Sequence, residues 1–327
     1  MNKFEKFQSA IRFKHANKIA INISPANAFR SRCEFAYDKN NYVMHGINEK
    51  IYMKTFTDAS LEIQNIMPIL LNEINNNNEI KEKLFQINFR SNQLNKLMIT
   101  MIYHKKIDES LIALLNQISK NLDINIIVRS KNFVHGIRGL YLEDMLAYKN
   151  LKIFQTDNTF TQSNKYLVDK MISKVINFID NQRDLLELYC GIGTFTLPLS
   201  FKFNKILATE SNRKSIKCLE KSLQENKISN VHNARLSSNE VSELFDGRIF
   251  NRMNMKNIND YDFSHILLDP PRSGLTDDVI SLASNFENII YVSCNSETYV
   301  RDIKLLESFE IDKIELFDQF PNKNHLE

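Results

Sequence analysis

Cys294 is delivered by an apolar run, Ile289-Ile290-Tyr291-Val292, and is followed at once by Asn295. Asp269-Pro270-Pro271-Arg272-Ser273-Gly274 follows a second apolar run, Ile266-Leu267-Leu268, 25 residues earlier. Both runs read as buried strands. Two strand ends one crossover apart, one with a thiol and the other with a carboxylate and an arginine, suit covalent attack on an electrophilic carbon. The thiolate is the attacking species, so the Cys294 pKa has to fall below the free value of about 8.5. Arg272 is the candidate electropositive neighbour. A lone cysteine at a strand end is otherwise a small buried hydrophobe, and Cys33, Cys190 and Cys218 are read that way. Cys294 is read as a nucleophile because the Asp269–Gly274 segment accompanies it.

A second site follows another strand. Glu187-Leu188-Tyr189-Cys190-Gly191-Ile192-Gly193-Thr194-Phe195 leaves an apolar run and opens a helix from about Thr194. Gly191 and Gly193 let the backbone approach a ligand, and a helix start offers free N–H groups. Thr196 stands where a dinucleotide motif would have its third glycine, which makes a nicotinamide site a weak reading. Glu210 lies 17 residues beyond Gly193, at the end of Lys205-Ile206-Leu207-Ala208-Thr209. That spacing suits an acid holding ribose hydroxyls. Together these features point to a nucleoside cofactor such as S-adenosylmethionine; the plainer alternative is a tight turn and a solvated glutamate.

The elements that position these groups form a doubly wound α/β unit. Strands are expected at Leu185–Tyr189, Lys205–Thr209, Val231–Ala234, Ser264–Leu268 and Asn288–Ser293. Helices are expected at Gln162–Ile179, Arg213–Asn226 and Asp277–Ala283. Before them, Phe29–Tyr37 alternates and places Arg30 and Arg32 on one face. Leu84–Arg90, Lys96–Tyr103 and Ile124–Arg129 read as further strands, Asp108–Leu122 and Lys3–Lys14 as helices, and Asn72–Glu79 as a helix end with a solvated loop. The boundary falls near residue 158. Residues 1–157 form a mostly antiparallel, mixed α+β region and residues 158–327 the α/β domain.

Composition narrows the partners. The chain has 327 residues, 43% hydrophobic, enough for two domains. No opening segment reads as a signal peptide, and no run approaches the roughly 20 apolar residues of a membrane helix, so a soluble, cytoplasmic protein is expected. The closest cysteines, Cys190 and Cys218, are 28 residues apart, which leaves no compact metal or iron–sulfur spacing. Residues 1–150 hold 21 Lys and Arg against 14 Asp and Glu, a charge of +7; the remainder hold 21 against 25, a charge of −4. A basic half beside an acidic one fits a polyanion-binding region joined to a catalytic one, although such a balance also occurs on ordinary surfaces.

Several segments in combination resemble the tRNA (uracil-5-)-methyltransferase family: Leu84–Ile87, Tyr103–Lys106, Asn158–Gln162, Leu185–Gly191, Leu207–Glu210, Asp269–Gly274, Ser293–Asn295 and Leu316–Pro321. The resemblance implies a Rossmann-like class I methyltransferase domain preceded by a smaller RNA-binding domain. It implies S-adenosylmethionine as cofactor, contacted by Gln162, Tyr189, Glu210 and Asp269 beside the Gly191–Gly193 turn. Thr194 takes a further cofactor position where the tRNA enzymes often have Asn. Cys294 becomes the nucleophile and Glu327 the base in methylation of a T-loop uridine, position 54 of tRNA. The partner is the tRNA T-arm and the enzyme a monomer without metal.

Uracil C5 is a weak nucleophile. A thiolate adding to C6 turns the ring into an enolate, C5 takes the methyl group, and a base then removes the C5 proton so that the thiolate leaves. Arg272 and Asp269 orient the ring or offset enolate charge. Phe85 and His104 are candidates to stack on splayed bases, with Phe85 equally readable as a core aromatic. Arg30, Arg32, Lys105 and Lys106 are candidates for phosphates. Two rivals use the same residues. An Asp-Pro-Pro methyltransferase acting on amino nitrogens does not need Cys294, and an RNA-binding or RNA-folding protein needs little catalysis. An rRNA uracil substrate is the nearer alternative. The family normally continues past the final Glu into another strand. With Glu327 last, its side chain is expected to lack an anchor, and the covalent adduct to form more readily than it resolves.

Overall fold

The computed structural model describes residues 2–46, 49–253, 257–321, 323 and 326–327. Alternation in the first half produces a seven-stranded sheet in the order Lys50–Met53, Asn41–His45, Arg32–Asp38, Leu84–Ser91, Leu97–Tyr103, Asn125–Ser130, Phe133–Gly136. Every pairing is antiparallel except that of Leu97–Tyr103 with Asn125–Ser130. A parallel pair needs a crossover. The helix Glu109–Leu122 supplies it, N-capped by Asp108 and ended by Asp123 in the left-handed region (φ 50°). This helix and Leu61–Asn75 bury Ile63, Met67, Leu70, Leu111 and Leu115 against Phe35, Ile87, Phe89 and Ile99. The Asn-rich segment is a helix end at Asn75 followed by a short helix, Asn78–Lys81.

The second half builds a five-stranded parallel sheet in the order Val231–Ala234, Lys205–Thr209, Asp184–Leu188, Phe263–Leu268, Asn288–Tyr291. Its central strands are apolar on both faces, as expected when helices cover both sides. One core joins Leu185, Ile206 and Leu267 to Met171, Val175 and Leu219; the other joins Leu186, Leu207 and Ile266 to Val241, Val279 and Phe286. The helix expected from Gln162 begins only at Val168, because Thr161–Lys165 is an irregular segment that carries Gln162. The helix expected from about Thr194 is four residues, Thr196–Leu199.

Residues expected in the first domain lie with the second at both ends of the 1–157 span. The strand Ala20–Ile23 pairs in parallel with Glu315–Asp318. Phe7 and Ile11 of the helix Lys3–Ala10 and its extension pack on Ile303, Leu316 and Leu326. Lys3 Nζ donates to Asp318 Oδ1 at 2.6 Å and to the carbonyls of Phe320 and Lys323. The hairpin Leu142–Leu146 and Leu151–Gln155 puts Leu146, Leu151 and Ile153 into the core around Leu185. Arg90, 3% exposed, ties the two halves together: it donates to Gln155 Oε1 at 2.9 Å, Thr161 Oγ1 and Asp157 O at 3.2 Å, and Thr159 O.

Glu327 is anchored, against the expectation for the chain end. Phe317 N donates to Glu327 O at 2.6 Å and Glu327 N to Phe317 O at 3.1 Å, while Leu326 is buried. A cavity of about 300 Å³ separates this segment and Glu315–Asp318 from the outer edge of Asn288–Tyr291. Because Ile11 is fully buried among Ile303, Leu316 and Leu326, Ile11→Ala should cost about 2–4 kcal/mol in denaturant unfolding. The exposed Phe13→Ala should cost less than about 1 kcal/mol in the same assay.

Candidate active site

The order of the parallel sheet reverses between Asp184–Leu188 and Phe263–Leu268, so a crevice opens beyond their carboxyl ends. Tyr189–Gly193 follows the first of these strands, Asp269 the second; Glu210 follows Lys205–Thr209, and Cys294 follows Asn288–Tyr291. Tyr189, Gly191 and Gly193 all have positive φ, at 60°, 56° and 95°. The two glycines serve different ends. A Cβ on Gly191 would meet nothing within 4 Å, so the turn there is open to a ligand. A Cβ on Gly193 would stand 2.5 Å from Leu219 Cδ1, so that glycine lets the helix Arg213–Glu225 pack close.

Glu210 reaches back to this turn. Its Oε2 accepts from Gly191 N at 3.2 Å and its Oε1 from Asn212 N at 2.7 Å. The Gly191 amide expected to be free is thus held by the acid assigned to the ribose. Gln162 and Thr194 line one small pocket with Thr161 and Ile192, which brings two more of the expected cofactor residues together.

The groups expected to react share a half-buried corner. Burial lifts Asp269 well above the usual carboxylate range, and the charges of Glu327 and Glu187 lift it further. Burial raises Glu327 to about 7, opposed by hydrogen bonds from Gln162 and Gln319; Gln162 Nε2 donates to Glu327 Oε1 at 3.1 Å. Cys294 is half-buried. Burial raises its pKa, Glu327 and Asp269 raise it further, and Arg272 acts in the opposite sense. The expected depression of this pKa is therefore reversed: the protein alone holds Cys294 as a thiol, with Arg272 only partly offsetting two carboxylates.

Glu187 was not among the expected site residues. It is 1% exposed, its Oε2 has no partner among the described residues, and burial raises it to about 8. The signal was visible as a lone acid inside the apolar run Leu185-Leu186-Glu187-Leu188, since a buried carboxylate without a cation is costly and marks a site.

The expected RNA contacts are more scattered. Phe85 is 46% exposed and not a core aromatic; it stacks on His104 with ring centroids 4.2 Å apart and planes 18° from parallel. Five positions along the strand from Arg90, this pair stands roughly 15–20 Å from the junction of the halves. Arg30 lies outside the strand, which begins at Arg32, and its guanidinium covers the Phe320 ring at 5.0 Å. Arg32 pairs with Glu34 at 2.5 Å, and Lys105 with Glu82 at 3.0 Å. Arg30, Arg32 and Lys105 are thus engaged within the chain, while Arg272 and Lys106 are exposed.

Among the described residues no helix is long and apolar enough to cross a membrane, and no three His, Cys, Asp or Glu side chains converge as a metal site. A Gly-turned crevice at the switch point of a parallel sheet, with an acid after the second strand, defines a Rossmann-like methyltransferase. A profile of the family tRNA (Uracil-5-)-methyltransferase matches residues 1–327. A tRNA/tmRNA (uracil-C(5))-methyltransferase of Campylobacter lari is 42% identical over 315 residues, covering 93% of this chain and 90% of that relative. One from Aliarcobacter butzleri is 40% identical over 333 residues, covering 97% and 89%. The crystal structure of the Pyrococcus abyssi tRNA (uracil-54, C5)-methyltransferase, in complex with S-adenosyl-L-homocysteine, superposes with a TM-score of 0.77 at 19% identity, covering 99% of this chain and 81% of that one. The chain belongs to the tRNA (uracil-5-)-methyltransferase family and is an enzyme of that S-adenosylmethionine-dependent class.

Cys33, Cys190 and Cys218 are buried, and burial drives each of their pKa values up. Cys294, the one cysteine that is not buried, should therefore be alkylated ahead of the other three in the native protein, slowly near neutrality and faster at higher pH. Thiol counting before and after denaturation, with Cys294→Ala as the control, checks this.

Proposed function

We propose that the protein methylates C5 of a uridine in tRNA, with Cys294 as the nucleophile at C6 and Glu327 as the base. The observation that carries this reading is the convergence of that thiol with Glu327 and Asp269 at the carboxyl ends of the sheet. An amino-nitrogen methyltransferase has no use for the thiol in that corner.

The crevice suits S-adenosylmethionine. Gly191 leaves open space, Glu210 presents a carboxylate, and Glu187 holds an unpartnered buried oxygen beneath the turn. Gln162, Tyr189, Gly191, Gly193, Thr194, Glu210 and Asp269 would hold it, and when bound it supplies a methyl group on a cationic sulfur. The chain's own residues do the rest. Cys294 loses its proton and bonds to C6, which moves electron density to C5. After methylation Glu327 takes the C5 proton, and the electrons of that C–H bond reform the C5–C6 double bond as the sulfur leaves. A carboxyl raised to about 7 suits this role, because its conjugate base is strong yet present at neutral pH. Asp269, whose proton affinity is raised by burial and its acidic neighbours, can when protonated donate a hydrogen bond toward enolate charge, and Arg272 can offset that charge.

The basic first half, with its exposed Phe85–His104 stack, is read as the tRNA-binding region, and a T-loop uridine as the target. The base has to be flipped out of its stack to reach Cys294, which costs about a few kcal/mol. The names of the relatives favour tRNA over rRNA.

Two measurements test the reading. Unmodified tRNA given cofactor should yield 5-methyluridine by nucleoside analysis, and Cys294→Ala should yield none. Methylation surviving that substitution would hand the case to amino-group chemistry. A transcript containing 5-fluorouridine should leave a protein–RNA species on a denaturing gel, since the fluorine at C5 cannot be removed by a base. Glu327→Gln should slow turnover by about 10²- to 10⁴-fold while adduct with ordinary tRNA accumulates. For the unaltered protein, adduct resolution should rise between about pH 6 and 8: Glu327 keeps its proton below about 7 and is a base above it. A rate flat across that range removes Glu327 from the role.

A further inference from the structure

The loop Asp269–Leu275 has no regular secondary structure, yet it presents Asp269 and Arg272 to Cys294. What fixes it is the helix Ser296–Leu305, whose N-cap, Asn295, is the residue after the thiol. Asn295 Nδ2 donates to Arg272 O at 2.9 Å, and Thr298 Oγ1 shares its one proton between Asn295 O at 3.1 Å and Arg272 O at 3.4 Å. Further along, Arg301 Nη2 donates to Ser273 O and Leu275 O, each at 3.0 Å. Asp302 is fully buried; its Oδ2 accepts from Leu275 N at 2.9 Å and from the Tyr291 hydroxyl at 2.7 Å. These residues stand at i, i+3, i+6 and i+7, one stripe of a helix. Gly274, at φ 75°, faces that stripe: a Cβ there would lie 2.5 Å from Arg301 Nη2, 2.6 Å from Asp302 Oδ2 and 2.9 Å from Thr298 Cβ. Helix and loop approach this closely only because position 274 is glycine.

We infer that Asn295, Thr298, Arg301 and Asp302 form a latch that holds the Asp269–Leu275 loop, and with it the backbone of Arg272, against the segment that carries Cys294, and that they are positioning residues for the nucleophile. The inference rests on the reading of Cys294 as the attacking thiol. The latch acts through Arg272. Arg272 is exposed, so its charge acts on the sulfur from a defined place only if its backbone origin is fixed. The charges that face Cys294 are Arg272 and Asp269 from the loop and Glu327 from the segment paired with Phe317. Arg272 is the one cation among these three, and releasing it leaves two carboxyl groups unopposed. The thiol and its counter-charge are carried by adjoining segments of one rigid unit, because the helix that grips the loop is capped by the residue after Cys294.

The test is the pH profile of Cys294 alkylation by iodoacetamide in the intact protein, without RNA or cofactor. Asn295→Ser keeps a side-chain oxygen to cap the helix but is too short to reach Arg272 O. Its profile should move up by about half to one pH unit, or about three- to tenfold less thiolate near neutrality. Thr298→Val should move it the same way by less, and it serves if Asn295→Ser folds poorly. In Arg272→Gln the profile should already be raised, and adding Asn295→Ser should move it no further. Unchanged profiles in both single variants, or an equal shift with and without Arg272, overturn the latch. Absence of 5-methyluridine from reactions of the unaltered protein would instead overturn the uridine reading and leave the alkylation result standing.

Discussion

Three carboxyl groups and a thiol gathered in one recess, Glu187 fully enclosed and the others half-buried, set the terms for this site. Glu187, Asp269 and Glu327 are all raised by burial, and Asp269 is raised further by the other two. They cannot all be ionised at once at neutral pH, because close like charges in a weakly screened setting repel strongly. Titration there belongs to the group rather than to single residues. Opposite charge entering such a crevice relieves the repulsion and favours every ionised form, the thiolate included. Arg272 is the chain's own small share of that compensation.

The α/β half was legible because each parallel strand is a short apolar run bounded by turn residues. Lys205–Thr209, Val231–Ala234 and Asp277–Ala283 fall at the expected residues. The site could be read from the residues just beyond those runs: Gly191 and Gly193, Glu210, Asp269 and Cys294. Features with weaker local signals escaped. Leu61–Asn75 has helical periodicity but contains Pro68, which removes a helical N–H. The partnership of Ala20–Ile23 with Glu315–Asp318 is a contact across almost the whole chain, and no local pattern encodes it. Arg30 and Arg32 looked free as types; Phe320 beside Arg30 is a tertiary contact, whereas Glu34, two positions on from Arg32 on the same strand face, was a local partner passed over. Glu187 was visible and passed over, since an acid inside an apolar run is easily absorbed into the strand around it.

The first half is attached to the catalytic half through the irregular segment that carries Gln162. Arg90 binds three backbone or side-chain groups between Asp157 and Thr161, and Arg129 pairs with Asp157. Gln162, at the end of this segment, touches Glu327. A chain of direct contacts therefore runs from the open sheet to Glu327. Whether a group can move there is decided by packing at the junction, where Arg90 is almost completely enclosed.

The reciprocal pair of bonds between Phe317 and Glu327 has a consequence for how this enzyme ages or responds to stress. Two main-chain bonds, the Gln162 side chain and the buried Leu326, not a long buried element, keep Glu327 in place. Local opening of such a segment costs much less than global unfolding. On the reading of Glu327 as the base, heat or mild denaturant would withdraw it while every strand of the parallel sheet was still assembled, and would turn a catalyst into a trap.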